Sequence, residues 1–323
     1  MTDRLAVTRT RPCRLWPAAL LLLALLRPHW VEARDSAAPA ASHEPALLAP
    51  KAVAGAATET AATAATAATS TTSVENVFIP KDTTDRLLKD IKDIYMSSLE
   101  EHGIYYKHSD TNILKAYAMI VGARDSLYFG GYYFFEITFP HDYPHAPPVV
   151  EYLTNDGVTR FHPNFYKSKK VCLSMLNTWR GEQWTSCLTI KSVLLTLLSI
   201  MDKQPMLHEP GVTEKHRDYN NYHTMILYKN IDFSCLLMIN EFMNTTIIPF
   251  ETEYKEHFYK IMLESFKNNA KEIKNIIIAS SVVKNINRFY TISGLYNMSF
   301  YINFDEILIK LIMTAKKYKV CID

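Results

Sequence analysis

The sequence is poor in cysteine, and its cysteines form no pattern that binds a structural metal. Only five occur in 323 residues, at positions 13, 172, 187, 235 and 321, and no two form a Cys-x-x-Cys pair. An odd, widely spaced set predicts neither a disulfide framework nor a structural zinc site. Free thiols favour a reducing compartment, so we expect the cytoplasm or the nucleus.

The sequence also lacks an excess of either charge. Lys and Arg number 35 against 33 Asp and Glu, and we therefore expect no nucleic-acid partner. The apolar run near the N-terminus, Leu15–Leu26, is shorter than the about 20 residues that a membrane-spanning helix needs. The apolar fraction of 48% is ordinary for a globular protein.

The N-terminal part differs in composition from the rest. Four arginines precede the apolar run and small residues follow it, so residues 1–33 are typical of a signal or transit peptide. Residues 34–75 are rich in Ala and Thr and have too few large apolar groups to offset the entropy of folding, which predicts a disordered linker. A functional leader would instead place the protein at a membrane, in an organelle or in the secretory pathway.

The folded part begins near residue 76 with a helix and then strands. Thr83–Asp85 is expected to cap the helix. Three runs rich in β-branched and aromatic residues then predict strands at Ile113–Val121, Tyr132–Phe139 and Val149–Leu153. Their short connections favour an antiparallel meander, because a parallel crossover needs a dozen or more residues. The loop Phe139–Pro148 has four prolines and is expected to be rigid and irregular, with room for a cis peptide bond.

Helices are predicted for most of the second half. Thr189 can cap a helix whose leucines recur at spacings of three and four residues. Further helical patterns cover residues 219–243 and 253–274, and Asn303–Glu306 is a capping box for a last helix through Lys317.

The residues from Phe161 to Trp184 carry the most chemistry. His162-Pro163-Asn164 predicts a tight turn, and Cys172 follows the asparagine by eight residues. An amide near the sulfur could donate a hydrogen bond to an oxyanion on an attacked thioester. Three lysines just before the cysteine are expected to favour its thiolate: Lys167, Lys169 and Lys170.

Three kinds of site are compatible with these residues. A cysteine hydrolase would need a histidine base, for which His162 and His208 are candidates. A metal site could recruit His162, Cys172, Cys187 and His208, although their spacing fits no common zinc pattern. The third is a thioester carrier, which needs no histidine base at the cysteine.

Several ordered motifs resemble those of ubiquitin-conjugating enzymes. They are the run GGYYFFEITFPHDYPHAPP, the His-Pro-Asn turn, the cysteine eight residues on, Trp184 and the leucine-rich helix, and the resemblance covers Thr84–Gly211. The long loop before Trp184 and the sequence Leu207–Gly211 are most similar to the Z-type subgroup. The resemblance implies an α+β fold with an N-terminal helix, a four-stranded antiparallel meander and a central helix. The core would span residues 76–225, and residues 226–323 would form a helical C-terminal extension.

The resemblance also implies a function. Cys172 would accept ubiquitin or a ubiquitin-like protein from an activating enzyme as a thioester, and would pass it to a lysine of a protein substrate or to a ligase. Asn164 would support the oxyanion or the loop, His162 and Pro163 would shape the turn, and Trp184 would pack beside the site. No cofactor is implied.

Departures from the family pattern leave two questions open. His208 and Glu209 lie near the family's acidic gate, and either could orient the incoming lysine. His145 and Thr185–Cys187 replace the usual ligase-contact residues, which implies a ligase with atypical contacts. A non-catalytic, ubiquitin-binding adaptor of the same fold is the alternative function.

Overall fold

The computed structural model describes residues 78–322. The predicted leader (1–33) and linker (34–75) lie outside the described residues. The described residues belong to one compact unit, which begins at Val77. In this part of the chain no helix is long and apolar enough to cross a membrane.

The first helix begins before the predicted cap. Helix α1 spans Lys81–Tyr95 and buries Leu87 and Ile94, which are on its apolar face. The prediction that Thr83–Asp85 would cap it is wrong. Pro80 occupies the N-cap position, and the hydroxyl of Thr83 donates to the carbonyl of His141, so it holds the proline-rich loop instead.

Four antiparallel strands form a meander in sequence order, as the resemblance implied. Their bounds are β1 Ile104–His108, β2 Lys115–Val121, β3 Tyr132–Thr138 and β4 Val149–Tyr152. The three predicted strands are confirmed with shorter ends, whereas β1 was not found from its local pattern. The loop between β3 and β4 contains a cis peptide bond before Pro144.

Both faces of the sheet are buried at β3, where successive side chains alternate between the two faces. Tyr132 and Phe134 lie on one face, and Tyr133 and Phe135 lie on the other; all four are fully buried. Phe135 contacts Phe165, with ring centroids 5.5 Å apart. This second face therefore supports the loop that follows the His-Pro-Asn turn.

The second half of the described chain is mainly helical and ends with a hairpin and a helix. The central helix α2 spans Ile190–Ile200, and Thr189 caps it as predicted, because its side chain accepts a hydrogen bond from the N–H of Ser192. The remaining elements are α3 Tyr219–Lys229, a π-helical segment Asn230–Leu237, α4 Met238–Glu241, α5 Thr252–Ser281, β5 Phe289–Ile292, β6 Met298–Tyr301 and α6 Phe304–Lys317.

These elements agree with the predicted helices, but the sequence analysis missed the hairpin of β5 and β6. Asn303 caps α6 as predicted, by accepting a hydrogen bond from the N–H of Glu306. The predicted domain boundary after residue 225 falls within α3, and the division into core and extension stays a prediction.

The C-terminal extension covers one face of the sheet. Phe134 stacks on Phe242 with ring centroids 4.7 Å apart, and Tyr117 lies 4.4 Å from the ring of Phe250. The hydroxyl of Tyr132 donates to the carbonyl of Met262 in α5. Since burying one large apolar side chain stabilises a fold by about 1.5–3 kcal/mol, the sheet and the extension stabilise each other.

Candidate active site

A tight reversal of the chain brings Asn164 and Cys172 together. Residues 164–166 and 170–172 run antiparallel, with a bridge between Phe165 and Val171. Lys169 turns the chain between them with a positive φ of 69°. The spacing of eight residues therefore places Asn164 opposite Cys172, on the two sides of the turn that contains Lys169.

Two hydrogen bonds join the asparagine to the cysteine. The backbone N–H of Cys172 donates to the carbonyl of Asn164 at 2.9 Å. The side-chain amide of Asn164 donates to the carbonyl of Cys172, with an Nδ2–O distance of 2.5 Å. The Oδ1 atom of Asn164 is buried and has no hydrogen-bond partner among the described residues. The amide is thus fixed beside the thiol through the backbone and not through the sulfur.

His162 is a structural part of the turn. Its Nδ1 atom accepts a hydrogen bond from the N–H of Asn164 at 3.0 Å, and its Nε2 atom lies 2.9 Å from the carbonyl of Ile200. These partners assign the proton to Nε2, since a carbonyl can only accept. Burial, with the charge of His208 as a second cause, holds the pKa of His162 well below its usual value. The ring is therefore neutral, and neither nitrogen is directed at the thiol of Cys172.

The thiol of Cys172 is enclosed. The residue is 3% exposed, and its Sγ atom donates to the carbonyl of Thr178 at 3.1 Å. The hydroxyl of Thr178 is itself held, because it accepts from the N–H of Leu173 at 2.8 Å and lies 3.0 Å from the carbonyl of Val171. Sequence reasoning missed Thr178, whose position over the sulfur depends on how the loop after the cysteine folds.

Burial raises the pKa of the Cys172 thiol, and the nearby charge of Lys170 opposes this rise without cancelling it. The expectation that all three lysines would favour the thiolate is therefore wrong. Lys167 points elsewhere: its Nζ atom donates to the carbonyls of Tyr296 and Asn297, both at 3.1 Å. Lys169 is exposed at the turn.

Trp184 connects the loop after Cys172 to the proline-rich loop. Its ring N–H donates to the carbonyl of Pro144 at 2.7 Å, so it holds the proline-rich loop. Its backbone N–H donates to the side chain of Asn177, which has a left-handed conformation with φ of 56°. Trp184 is 7% exposed and lies in the same hydrophobic core as the sheet.

His208 is the last residue of a short 3-10 turn, Pro205–His208, and Glu209 follows it. The two side chains contact different partners. The ring of His208 lies 5.1 Å from the ring of His162, and its Nε2 atom is 2.9 Å from the carboxylate of Asp202. The carboxylate of Glu209 accepts a hydrogen bond from the hydroxyl of Tyr296 at 3.0 Å. The structure therefore links His208 to the His-Pro-Asn turn and Glu209 to the C-terminal hairpin.

The described part of the chain contains no cluster of side chains that matches the metal-site alternative. Among residues 78–322, no group of three or more His, Cys, Asp and Glu side chains could hold a metal ion. Cys187 is exposed, and its neighbours Ser186 and Leu188 accept hydrogen bonds from the guanidinium of Arg86 in α1.

Arg160 is a second residue that sequence reasoning missed. Its guanidinium donates to the carbonyls of His162 at 3.1 Å and Pro163 at 2.6 Å. It lies on the ring of Tyr166, with a distance of 3.5 Å to the centroid. Arg160 thus braces the His-Pro-Asn turn from outside, and no short motif marks such a role.

Part of this chain is similar to known proteins. Residues 86–235 match the family model described as ubiquitin-conjugating enzyme. Over 149 residues, or 45% of this chain, the sequence is 37% identical to ubiquitin-conjugating enzyme E2 Z of Homo sapiens and 38% identical to that of Xenopus tropicalis. Among solved structures, a Toxoplasma gondii ubiquitin conjugating enzyme E2 domain is 24% identical, with 47% of this chain and 95% of that chain covered and a TM-score of 0.36.

Residues 86–235 therefore match the ubiquitin-conjugating enzyme family. The resemblance seen in the motifs is confirmed, and the matches to Z-type relatives also support the subgroup. The chain spans less than half the length of the human and frog relatives, 42% and 47% respectively.

Proposed function

We propose that this protein is an active ubiquitin-conjugating enzyme that carries ubiquitin, or a ubiquitin-like protein, as a thioester on Cys172. It receives the modifier from an activating enzyme and transfers it to a substrate lysine or to a ligase cysteine. The observation that carries the proposal is the reciprocal pair of hydrogen bonds between Asn164 and Cys172, at 2.9 and 2.5 Å. They hold an amide donor next to the thiol within the segment that matches the family.

The first step exchanges one thioester for another. Cys172 loses its proton to solvent, and its thiolate attacks the carbonyl carbon of the modifier on the activating enzyme. A new carbon–sulfur bond forms, and the activating enzyme's thiolate leaves. Because the thiol is buried with a raised pKa, the residues over it must move before the attack, and the carbonyl of Thr178 must release the Sγ atom.

The second step forms an amide bond. The lysine nitrogen attacks the thioester carbon, the carbon–sulfur bond breaks, and Cys172 leaves as a thiolate. The amine proton passes to a nearby carboxylate or to solvent. Negative charge develops on the carbonyl oxygen of the thioester during the attack. The side-chain amide of Asn164 has a second N–H that can donate to this oxygen, since only one N–H is used by the Cys172 carbonyl.

The histidine partners count against a cysteine hydrolase. Such an enzyme needs a base hydrogen-bonded to the thiol, but the thiol of Cys172 donates to the backbone of Thr178. Both ring nitrogens of His162 are already engaged by backbone groups.

We propose partners that follow from this role: the modifier, an activating enzyme, protein substrates and a ligase. The ligase contacts would be atypical, because His145 and Thr185–Cys187 replace the usual contact residues. Arg86 holds the second of these segments through the carbonyls of Ser186 and Leu188, both at 2.6 Å. A cytoplasmic or nuclear setting suits the free thiols of Cys172 and Cys187.

The test is thioester formation by the full chain. The protein is incubated with ATP, ubiquitin and a panel of activating enzymes, and the products are separated on non-reducing gels. We expect an adduct that a thiol reductant removes and that Cys172→Ala abolishes. Cys187→Ala is the matched control, since that thiol is exposed and should be dispensable.

Two results would overturn the proposal. One is the absence of a reductant-sensitive adduct with every activating enzyme, and the other is an adduct that survives Cys172→Ala. Binding of ubiquitin without any adduct would instead support the adaptor, and release of ubiquitin from a conjugate without ATP would support the hydrolase.

A further inference from the structure

The hairpin of β5 and β6 contacts the loop that carries the candidate nucleophile. Lys167, in the loop between Asn164 and Cys172, donates through its Nζ atom to two hairpin carbonyls, those of Tyr296 and Asn297. Burial lowers the pKa of Lys167. The side chain of Lys167 is half-buried, and its two hydrogen bonds join the hairpin to the loop.

Arg160 makes a second connection between the hairpin and the turn. Its backbone N–H lies 2.9 Å from the sulfur of Met298 in β6. Its guanidinium, which donates to the carbonyls of His162 and Pro163, lies 5.7 Å from the centroid of the Tyr296 ring. One side chain therefore contacts the His-Pro-Asn turn and the hairpin together.

Tyr296 also contacts Glu209, the residue that follows the short 3-10 turn Pro205–His208. Its hydroxyl donates to the carboxylate of Glu209 at 3.0 Å, and its ring lies 5.1 Å from that of Tyr222. Tyr296 is 7% exposed and Glu209 is half-buried, so the hydrogen bond is partly shielded from water. A hydrogen bond to an ionised carboxylate in such a place is stronger than one between neutral groups.

We propose that Tyr296 is a positioning residue for transfer to lysine, because it holds the Glu209 carboxylate in a fixed relation to the turn that carries Asn164. The inference rests on the proposed function and assigns the hairpin to its second step. The carboxylate receives the proton that the lysine amine must lose, and the amine then forms its bond to the thioester carbon as Cys172 leaves. His208, which pairs with Asp202, is not the residue that Tyr296 orients.

The test separates the two chemical steps in the full chain. Tyr296→Phe is charged with ubiquitin, and the purified thioester is then discharged onto free lysine or onto hydroxylamine in a single turnover. Hydroxylamine is uncharged at neutral pH, whereas a lysine amine with a pKa near about 10.4 must first lose a proton. Only the lysine reaction should therefore depend on the carboxylate.

We expect charging to stay within about twofold of wild type. Discharge onto lysine should slow about tenfold, equivalent to about 1.4 kcal/mol, while discharge onto hydroxylamine is unchanged. Tyr301→Phe is the matched control, because that ring lies on the same hairpin but is 55% exposed, and it should behave as wild type. Glu209→Gln should slow lysine discharge to the same degree, and adding Tyr296→Phe to it should have little further effect.

The outcomes distinguish this inference from the function on which it rests. If the wild-type chain forms no thioester, the proposed function fails, and the role of Tyr296 fails with it. If the thioester forms and Tyr296→Phe discharges onto lysine at the wild-type rate, only the role of Tyr296 is refuted. Equal slowing with lysine and hydroxylamine would show that Tyr296 merely stabilises the fold, and would refute it as well.

Discussion

Replacing Asn164 with alanine separates two roles of the asparagine, support of the loop and support of the oxyanion. The change removes the hydrogen bond to the Cys172 carbonyl, which is worth about 0.5–1.5 kcal/mol net. It also removes a buried Oδ1 atom without a partner among the described residues, whose burial costs about 1–3 kcal/mol. The two terms have opposite signs and largely cancel, so we expect the free energy of unfolding to change by about 1 kcal/mol.

This cancellation applies to folding and not to the transition state of transfer to lysine, in which the amide of Asn164 would donate to the oxyanion. Removing one oxyanion donor typically slows a reaction about 100- to 1,000-fold. We therefore expect Asn164→Ala to melt within about 3 °C of wild type, to accept ubiquitin, and to lose transfer to lysine by about that factor.

Three measurements check this expectation: thermal unfolding, single-turnover charging of Cys172, and discharge onto lysine. A large fall in melting temperature with parallel losses in charging and transfer would refute it, and would assign Asn164 to the loop alone. Discharge at the wild-type rate would refute the oxyanion role directly. Cys187→Ala, at an exposed site outside the turn, serves as the control for nonspecific loss of activity.

Two further predictions concern the thiols and the contact between α1 and the proline-rich loop. Iodoacetamide at neutral pH should alkylate exposed Cys187 faster than enclosed Cys172, and the rate at Cys172 should rise about tenfold per pH unit, because its pKa is raised. Mass spectrometry of the digested peptides measures both rates, and equal rates would contradict the enclosure of the thiol. Tyr143→Phe removes a hydroxyl that donates to the carboxylate of Asp90 at 2.5 Å, where Asp90 is 4% exposed, and should destabilise the fold by about 1.5–3 kcal/mol. Calorimetry should find the melting temperature lower by about 3–10 °C, and an unchanged value would show that Arg86 alone satisfies Asp90.

Local signals predicted the helices and most strands because their causes lie within a few residues. Thr189 and Asn303 each cap a helix through an N–H three residues later, so the sequence alone was enough. The cap at Thr83 was wrong because its hydroxyl has a better partner, the carbonyl of His141, 58 residues away. The hairpin was missed although Ser293-Gly294 separates two runs rich in aromatic and β-branched residues, which is a usable turn signal.

The candidate site was predictable in its residues and unpredictable in its electrostatics. Spacing and motifs identified Asn164 and Cys172, and a local turn then brings them together. The raised pKa of the thiol depends on the fold of the loop that follows it. Of the three lysines that were expected to lower this pKa, only Lys170 acts on it, since the positions of the others depend on the fold. Lys167, for example, is held by carbonyls 129 and 130 residues away.

The covering of the sheet by the C-terminal extension has a consequence for synthesis of the protein. Tyr117 and Phe134 leave the ribosome well before Phe242 and Phe250, which cover them. Tyr296 follows Cys172 by about 120 residues, or about 6–25 s of translation at about 5–20 residues per second. Until Phe242 and Phe250 have been synthesised, the rings of Tyr117 and Phe134 lack the partners that cover them. A product cut within this interval would contain the thiol without the hairpin, and it could capture a modifier that it delivers poorly to lysine.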